Sequence, residues 1–279
     1  MYEILRNEKL AEDTHLMEIG APMVAERIKP GNFVILRISE KGERIPMSVF
    51  DFDRNKGVLT IVFKVVGKTT KDLSSLKEGD SIMNFVGPLG NPTEIEKFGT
   101  VVCIGGGIGI PPIYPIAREM RKAGNKVISI IGARRKYLLI LEDEIKSVSD
   151  ELHVTTDDGS YGHKGFVSDV LNMIIREGRK IDRVIAVGPL VMMKAVCDVT
   201  KPHGIKTIVS LNPIMVDGTG MCGCCRVTVG GETKFVCVDG PEFDGHEVDF
   251  DNLILRNNRF LEEEEKAKGG CYGSEKEKA

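Results

Sequence analysis

The segment DGTGMCGCC, residues 217–225, organises the rest of this sequence. Cys222 and Cys225 stand three positions apart in this glycine-rich loop, and Cys237 follows after about the length of a hairpin. Thiolates at such a spacing can converge on one inorganic centre. A loop that points Cys222 and Cys225 inward turns the sulfur of Cys224 away, so only three thiolates converge. The pattern therefore predicts an iron-sulfur site that needs a fourth ligand.

The same residue types leave two alternatives open. Three cysteines and an aspartate can hold a structural zinc ion, because zinc also takes thiolate and carboxylate ligands in a closed tetrahedral site. Asp217 can also be an ordinary turn residue, in which case Cys224 supplies the fourth ligand. The local spacing favours iron-sulfur over zinc.

The cysteine segment resembles the cluster motif of the electron-transfer subunits of the dihydroorotate dehydrogenase family, Cys-Gly-X-Gly-X-Cys-X-X-Cys with a later fourth cysteine. It fits every fixed position except the first, which holds Asp217. The resemblance implies a [2Fe-2S] cluster bound by Asp217, Cys222, Cys225 and Cys237. The aspartate favours the branches of this family that contain ferredoxin:NADP oxidoreductases and sulfide dehydrogenases.

Composition and charge narrow the class of protein. The 279 residues can bury the cores of two compact units plus an appendage. A formal net charge of −3 offers no basic excess for nucleic acid. Seven cysteines without an N-terminal signal peptide indicate a reducing cytoplasm, with Cys103 and Cys197 as packing groups. Gly, Pro or charge breaks each apolar run, so we expect no membrane span.

Residues 1–97 alternate short apolar runs with Gly, Pro and Asn turns. The clearest strand candidates are residues 33–38 and 58–66, which are rich in β-branched side chains and follow glycine-containing turns. Several strands at short intervals are typical of a small β-barrel.

Two segments of this region resemble the flavin site of ferredoxin-reductase-like barrels. RIPMS, residues 44–48, is similar to the Arg-X-Tyr-Ser motif, although the family arginine falls on Ile45 and the aromatic position holds methionine. VGKTTKDL, residues 66–73, enters a predicted helix whose free N–H groups suit a pyrophosphate. An ordinary strand start and a plain capped helix are the alternatives. The resemblance implies FAD bound by Arg44, Pro46, Met47, Ser48, Val66, Gly67, Thr69 and Thr70.

A third segment, GPLGNP at residues 87–92, is similar to the Gly-Pro-X-Gly turn that closes the flavin barrel in the same family. Taken in isolation, the segment is better explained as a simple turn. The three segments nevertheless occur in the family's order. The sequence therefore predicts a flavin-binding β-barrel over residues 1–97.

Residues 98–210 alternate apolar strands with helices, as expected for an α/β domain. The predicted strand 100–104 leads into GGGIGIPP, residues 105–112, and a glycine loop between strand and helix can cradle phosphate. The loop departs from the Rossmann fingerprint because Ile110 takes the third glycine position and no acidic residue closes strand 126–131. It resembles instead the nicotinamide loop of ferredoxin reductases. A structural tight turn is the alternative.

Two later segments continue this resemblance. TDDGSYG, residues 156–162, is similar to a loop of that domain, and Gly188-Pro189 follows strand 184–187 where the family has a turn near the nicotinamide. Connecting loops on a doubly wound sheet are the alternative. The resemblance implies NAD(H) bound by Gly106, Gly107, Gly109, Pro111, Asp158, Gly188 and Pro189.

The choice of nicotinamide is less direct. Arg134 and Arg135 follow the second strand of the α/β domain and could meet a 2′-phosphate, which would favour NADP. They could equally be solvated loop charges or contact the pyrophosphate. Because the resembled subunits use NAD(H), we predict NAD(H).

The last part of the chain divides into two segments. Residues 211–250 form the predicted [2Fe-2S] segment, and DGPEF at residues 239–243 resembles the sequence that follows the family's last cluster cysteine. Residues 251–279 are charged with little to bury, so they predict a tail or a partner-binding arm whose plausible anchors are Cys271 and Tyr272.

The combined resemblance implies an electron-transfer subunit, because the cofactors carry the chemistry and no catalytic triad or general base is visible. It implies a heterodimer with a larger flavin and iron-sulfur subunit, in flavin-based electron bifurcation between NADH, ferredoxin and NADP. A sulfide dehydrogenase or dihydroorotate dehydrogenase subunit is the alternative within this class. A zinc-containing, non-catalytic nucleotide sensor is the alternative from a different class.

Overall fold

The computed structural model describes residues 1–260, 262 and 263, and its N-terminal part is a β-barrel. Its elements are β1 (Tyr2–Ala11), β2 (Thr14–Gly20), α1 (Pro22–Ala25), β3 (Phe33–Arg37), β4 (Ile45–Asp53), β5 (Val58–Lys64), α2 (Lys68–Ser75), β6 (Ser81–Ile82) and β7 (Asn84–Leu89). The strands form one sheet in the order β6-β1-β2-β5-β4-β3-β7. Only Met83 separates its two edge strands β6 and β7, so the sheet curls back on itself.

Inward-facing apolar side chains hold the barrel together. In β5, Leu59, Ile61 and Phe63 alternate along the strand and are buried, as expected when every second side chain faces one side of a sheet. The two strands predicted most clearly, at residues 33–38 and 58–66, are confirmed with slightly earlier ends. β7 continues to Leu89, so the first half of the predicted GPLGNP turn is strand, and the chain turns at Gly90 with φ +69°.

The middle of the chain is an α/β unit built on a mainly parallel sheet. Its elements are β8 (Thr100–Gly106), α3 (Ile110–Lys122), β9 (Lys126–Ala133), α4 (Glu142–Ser147), β10 (Glu151–Thr156), β11 (His163–Lys164), α5 (Val167–Arg176), β12 (Arg183–Val187), α6 (Leu190–Thr200) and β13 (Thr207–Ser210). The strand order is β11-β10-β9-β8-β12-β13, and the pairings are parallel. This is the predicted doubly wound arrangement.

Helices cover both faces of this sheet. Apolar side chains of α3 and α4 pack with Val101, Cys103 and Val127 on one face, and those of α5 and α6 pack with Val102 and Ile128 on the other. Strands buried on both faces are continuously apolar, which is why they were recognisable in the sequence. Cys103 and Cys197 are buried packing groups, as predicted, and burial raises the pKa of each thiol to about 12.

The C-terminal part returns to the edge of the α/β sheet. Its elements are β14 (Arg226–Val229), β15 (Glu232–Phe235), α7 (Val236–Asp239), β16 (Glu242–Asp244) and α8 (Phe250–Asn257). β14 and β15 form a hairpin, and β16 adds to β13 in antiparallel orientation. The amide of Leu211 donates to the carbonyl of Pro241 at 2.9 Å, so the cluster segment leaves and rejoins the sheet at one point.

Helix α8 occupies the first residues of the segment predicted to be a charged tail. Phe250 and Leu253 are buried against the core, and Asp249 caps the helix by accepting a hydrogen bond from the amide of Asn252 at 3.0 Å. The predicted anchors Cys271 and Tyr272 lie outside the described residues. None of the helices within residues 1–260, 262 and 263 combines the length and apolar character that a membrane span requires.

Candidate functional site

Asp217 organises the start of the predicted cluster loop. Its carboxylate accepts hydrogen bonds from the amides of Thr219, Met221 and Cys222 at 3.3, 3.1 and 3.1 Å, and from the Cys222 thiol at 3.2 Å. Burial alone would raise the pKa of Asp217, but the bonds from Cys222 and Thr219 outweigh it and lower that pKa to about 2. A permanently ionised carboxylate thus lies beside the first cysteine.

Cys225 and Cys237 form a second, buried pair. Both residues are 1% exposed, and the amide of Cys237 donates to the sulfur of Cys225 at 3.5 Å. Burial and the hydrogen bond with Cys225 raise the pKa of Cys237 to about 12. Thiols in such a place need a cationic centre to become thiolates, because a bound metal stabilises the deprotonated form.

The donor set fits a two-iron cluster, since it consists of two pairs: Asp217 with Cys222, and Cys225 with Cys237. Each iron of a [2Fe-2S] centre takes two protein ligands. In the part of the chain that the structure describes, no three His, Cys, Asp or Glu side chains are grouped as a single metal ion would need. Cys224 also lies near these four residues. Its thiol shares a hydrogen bond with Cys222, which raises the pKa of the Cys224 thiol. The local geometry therefore leaves Asp217 and Cys224 both open as fourth ligands.

The cluster loop rests on the barrel. A Cβ atom added at Gly218 would lie 2.3 Å from Cδ1 of Ile35 on strand β3. In the sheet, β3 pairs with β7 on one side and with β4 on the other, where Pro46 pairs with Ile35 and Ser48 pairs with Phe33. A single strand thus separates the loop that carries the cysteines from the strand that carries the predicted flavin residues.

The predicted flavin residues at β4 are at least partly open to solvent, although Met47 also packs against the barrel core. Arg44 directly precedes the strand and is exposed, Pro46 and Met47 are half-buried, and Ser48 is exposed. The serine hydroxyl is therefore accessible to a ring placed along this strand. Arg44, Pro46, Met47 and Ser48 thus lie within five consecutive positions, and Pro46 and Ser48 share one face of the strand.

The side chain of Thr70 stabilises the start of helix α2. Its hydroxyl accepts from the amides of Val66 and Gly67 at 2.9 and 3.1 Å, so the side chain of Thr70 is occupied by the backbone. Thr69 is half-buried and donates to Glu43 at 2.7 Å. A Cβ added at Gly67 would meet no atom within 4 Å, which leaves open space beside the helix start.

The glycine loop after β8 packs tightly on the Gly188-Pro189 turn. A Cβ at Gly109 would lie 2.1 Å from the carbonyl oxygen of Val187, and one at Gly106 would lie 2.2 Å from the sulfur of Met192. The close approach of the Val187 backbone requires glycine at position 109, whereas Gly106 faces the flexible side chain of Met192 on α6. Gly107 differs, because it has φ +54° and faces open space. Pro111 lies in the first turn of α3 and is buried. The structure therefore brings the two predicted nicotinamide segments together.

Asp158 lies apart from that loop, just beyond the carboxyl end of β10. The amide of Ser160 donates to its carboxylate at 2.9 Å, and Arg135 lies 3.7 Å away. Hydrogen bonds from Ser160 and the charge of Arg135 lower the pKa of Asp158. An exposed anion thus occupies the region where sequence analysis placed only the cations Arg134 and Arg135.

Sequence reasoning missed two residues that hold the cluster segment. The Asn91 side chain donates to the carbonyls of Val238 and Asp239 at 3.1 Å each, and the Arg256 side chain donates to the carbonyl of Cys224 at 3.2 Å. Nothing in the pattern could pair Asn91 with residues 147 positions later. Arg256 was assigned to the tail.

Comparison with known proteins identifies the family. The iron-sulfur cluster binding domain of dihydroorotate dehydrogenase B matches residues 212–249, and the oxidoreductase NAD-binding domain matches residues 103–198. The chain is 53% identical over 262 residues to the dihydroorotate dehydrogenase B (NAD(+)) electron transfer subunit homolog of Thermotoga maritima, covering 94% of this chain and 92% of that protein. The chain belongs to the family of dihydroorotate dehydrogenase B electron transfer subunits. The Fusobacterium nucleatum member is 35% identical over 254 residues, covering 88% and 96% of the two chains.

Solved structures agree with this membership. A structure of an NADH-dependent reduced ferredoxin-NADP oxidoreductase, described in connection with flavin-based electron bifurcation, matches with a TM-score of 0.91 and 51% identity over 96% of each chain. Phthalate dioxygenase reductase, at 18% identity and a TM-score of 0.60 over 82% of this chain and 85% of that one, shares the fold. The predicted fold class, a flavin-type barrel with a nicotinamide-type α/β domain, is confirmed.

The family fixes the class of chemistry. The chain is an electron-transfer subunit of an NAD(H)-dependent iron-sulfur oxidoreductase. The comparisons support all three predicted cofactors, FAD, a [2Fe-2S] cluster and NAD(H). They favour iron-sulfur over zinc at the cysteine loop, because the matching domain binds an iron-sulfur cluster.

Proposed function

We propose that this chain moves electrons between NAD(H), FAD and a [2Fe-2S] cluster and delivers them to a larger flavin and iron-sulfur subunit, in flavin-based electron bifurcation between NADH, ferredoxin and NADP. The observation that carries the proposal is the contact of Gly218 with Ile35. It supports a short path, because the cluster loop lies one strand away from the flavin segment of β4. The 51% identity to a ferredoxin-NADP oxidoreductase chain supports the choice of reaction.

In this proposal the chain has four parts: a flavin barrel (residues 1–97), a nicotinamide domain (98–210), a cluster segment (211–250) and a C-terminal tail or partner arm (251–279). The cofactors supply hydride and single-electron chemistry when bound. The protein's residues position them. Arg44, Pro46, Met47, Ser48, Val66, Gly67, Thr69 and Thr70 line the FAD site, and Gly106, Gly107, Gly109, Pro111, Asp158, Gly188 and Pro189 line the NAD(H) site.

The proposed cluster ligands are Asp217, Cys222, Cys225 and Cys237. The ionised state of Asp217 supports its role, because an oxygen ligand must be deprotonated. Its hydrogen bonds to the following amides are also those of an ordinary turn, so the role needs a direct test.

Three substitutions test the fourth ligand in anaerobically purified protein. Asp217→Cys restores the family's thiolate, so we expect full iron content with a changed EPR spectrum. Asp217→Asn keeps the turn but loses the anion, so we expect reduced iron content, whereas Cys224→Ser should leave iron unchanged. Unchanged spectra for both Asp217 variants, together with iron loss in Cys224→Ser, would assign the ligand to Cys224.

Asp158 supports NAD(H) as the nicotinamide. An acidic side chain near the ribose can accept hydrogen bonds from its 2′-hydroxyl, and its charge repels a 2′-phosphate. Its charge also partly neutralises Arg135. We expect NADH to reduce the flavin of the isolated chain faster than NADPH does, and Asp158→Asn to narrow that difference. A preference for NADPH in the unmodified chain contradicts this assignment.

The surface around the cluster loop supports a partner subunit. Met221 is 88% exposed, and Val216 and Val238 are also exposed, so apolar side chains surround the proposed site. We propose that the larger subunit covers this surface in a heterodimer. The six cysteines that the structure describes are all free, which suits a reducing compartment, and we propose a cytoplasmic location.

The decisive experiment isolates the complex under anaerobic conditions. We expect copurification of a larger flavin and iron-sulfur chain, with one [2Fe-2S] cluster and FAD in the smaller subunit, and NADPH formation driven by NADH and reduced ferredoxin. Activity with polysulfide or dihydroorotate instead would assign the complex to the related enzymes. Protein without iron or flavin would contradict the whole proposal.

A further inference from the structure

Two arginine side chains donate hydrogen bonds to backbone carbonyls of the cysteine loop. Arg226 Nη1 donates to the carbonyl oxygen of Gly223 at 3.1 Å, and Arg256 Nη2 donates to that of Cys224 at 3.2 Å. Both carbonyls lie between Cys222 and Cys225 in the chain. The loop is therefore tied to β14, where Arg226 is the first residue, and to helix α8, which carries Arg256.

These hydrogen bonds fix the direction of two peptide groups. In a trans peptide the C=O and N–H bonds point in opposite directions, so the amides of Cys224 and Cys225 point away from the guanidinium groups. Among the described residues, no loop hydrogen bond uses either amide as donor. Free amides beside cysteine ligands can donate to cluster sulfurs, and such bonds are one of the factors that set reduction potential.

Positive charge gathers on the same side of the loop. The guanidinium groups of Arg226 and Arg256 donate to neighbouring carbonyls of the loop, and burial with the charges of Arg226 and Arg259 lowers the pKa of Arg256. A cluster becomes more negative when it is reduced. Nearby cations stabilise that state more than the oxidised one, so the charges and the oriented amides act in the same direction.

We propose that Arg256, assisted by Arg226, is a positioning residue that orients the Cys222–Cys225 loop and raises the reduction potential of the cluster. This inference rests on the proposed cluster site. It assigns the C-terminal helix a role in electron transfer, because α8 presents the arginine to the loop.

Potentiometric titration of the full chain, followed by EPR, tests the role of Arg256. We expect Arg256→Met to shift the one-electron equilibrium about tenfold toward the oxidised cluster, a midpoint lower by about 59 mV. Arg256→Lys keeps the charge without the planar fork, so its shift should be smaller. Arg259→Met is the matched control, because it removes a nearby charge that makes no hydrogen bond to the loop in the described structure; its shift should also be smaller.

Iron and sulfide analysis of the unmodified chain comes first. If the unmodified chain holds no cluster, the proposed cluster site is wrong; if it holds one, the variants test the role of Arg256 separately. Arg256→Met with full cluster content and an unchanged midpoint overturns the role of Arg256. If that variant does not retain its cluster, Arg256→Lys and Arg226→Met decide the question. Lowered midpoints in both variants support the inference, and unchanged midpoints in both overturn it.

Discussion

At the scale of single residues, Gly218 determines how closely the cluster loop approaches the barrel. It has φ +74°, and an added Cβ would lie 2.3 Å from Ile35 Cδ1. We therefore expect Gly218→Ala to push the loop away from β3, lowering iron content and slowing electron transfer from flavin to cluster. Rapid-mixing spectroscopy and iron analysis measure these effects.

Gly231→Ala is the matched control for Gly218→Ala. Gly231 has φ +80° but no atom within 4 Å of an added Cβ, so it reports only the backbone strain of about 1–2 kcal/mol. Ile35→Val removes the δ-methyl group that Gly218→Ala would meet, and the double variant should recover part of the transfer rate. Equal effects of the two glycine substitutions would refute the steric explanation.

Glu242 is a second residue whose environment matters, because it shifts the pKa of the carboxyl group. It lies on β16, is half-buried, and accepts a hydrogen bond from Thr93. Burial raises the pKa of its carboxyl group from 4.5 to about 7, against the opposing effects of Thr93 and Arg183. The folded protein therefore favours the neutral acid.

The raised pKa of Glu242 predicts a pH dependence of stability. Its contribution is fully present below the unfolded pKa of 4.5 and is lost as pH rises through about 7. In the unmodified chain, the free energy of unfolding should fall by roughly 2–3 kcal/mol between pH 4.5 and about 7 because of this group. We expect Glu242→Gln to abolish that fall and to raise the unfolding temperature at alkaline pH. Thermal unfolding of Glu242→Gln and of the exposed control Glu247→Gln at several pH values measures this. Identical pH profiles for Glu242→Gln and the unmodified chain would contradict it.

At the scale of elements, the turn after β7 clamps the cluster segment. Asn91 donates from its side chain to the carbonyls of Val238 and Asp239, and its amide donates to the carbonyl of Gly240 at 2.6 Å. Asn91→Ala should cost about 1 kcal/mol, because it removes two partly exposed hydrogen bonds, and should speed hydrogen exchange in residues 236–240. Asn55→Ala, in an exposed turn, is the control and should leave that exchange unchanged.

The same turn shows how far sequence patterns reach. Strands β3, β5, β8 and β9 were predictable because β-branched runs and bounding glycines are local signals. The GPLGNP segment was linked to flavin by resemblance, but its Asn91 contacts the cluster segment, and no local pattern encodes a contact between residues so far apart. Likewise β16 could not be placed beside β13, because edge pairing depends on the whole sheet.

For the candidate site, spacing identified the cysteines but not their supports. Cys222, Cys225 and Cys237 were recognisable because ligands cluster in sequence. Arg256 was not, because a charged residue near a chain end resembles a solvated tail until Leu253 is seen to bury its helix. Three-dimensional packing supplied that information.

At the scale of the whole molecule, the proposed electron transfer should separate into two steps: reduction of the flavin by NADH, and electron transfer through the cluster to the partner. The nicotinamide and flavin residues lie on elements other than the cluster hairpin, so Cys225→Ser should abolish the cluster signal while NADH still reduces the flavin. Electron delivery to the partner should then fall by at least an order of magnitude. Thr233→Ser, an exposed change on the β14–β15 hairpin, is the control. Full delivery by Cys225→Ser would show that electrons bypass the cluster.

The hydrogen bond between Leu211 and Pro241 closes residues 211–241 into a side branch, since the chain departs from the sheet edge and comes back to the same place. The seven strands of the sheet all lie outside that branch, because the edge strand β16 begins at Glu242. Because both ends of the branch meet at one edge of the sheet, insertions or deletions at its exposed hairpin turn, Gly230-Gly231, should leave the parallel pairings of β8, β9, β12 and β13 in place. The side chains of Val227 and Val236 pack in the core, so the rest of the branch is less free to vary.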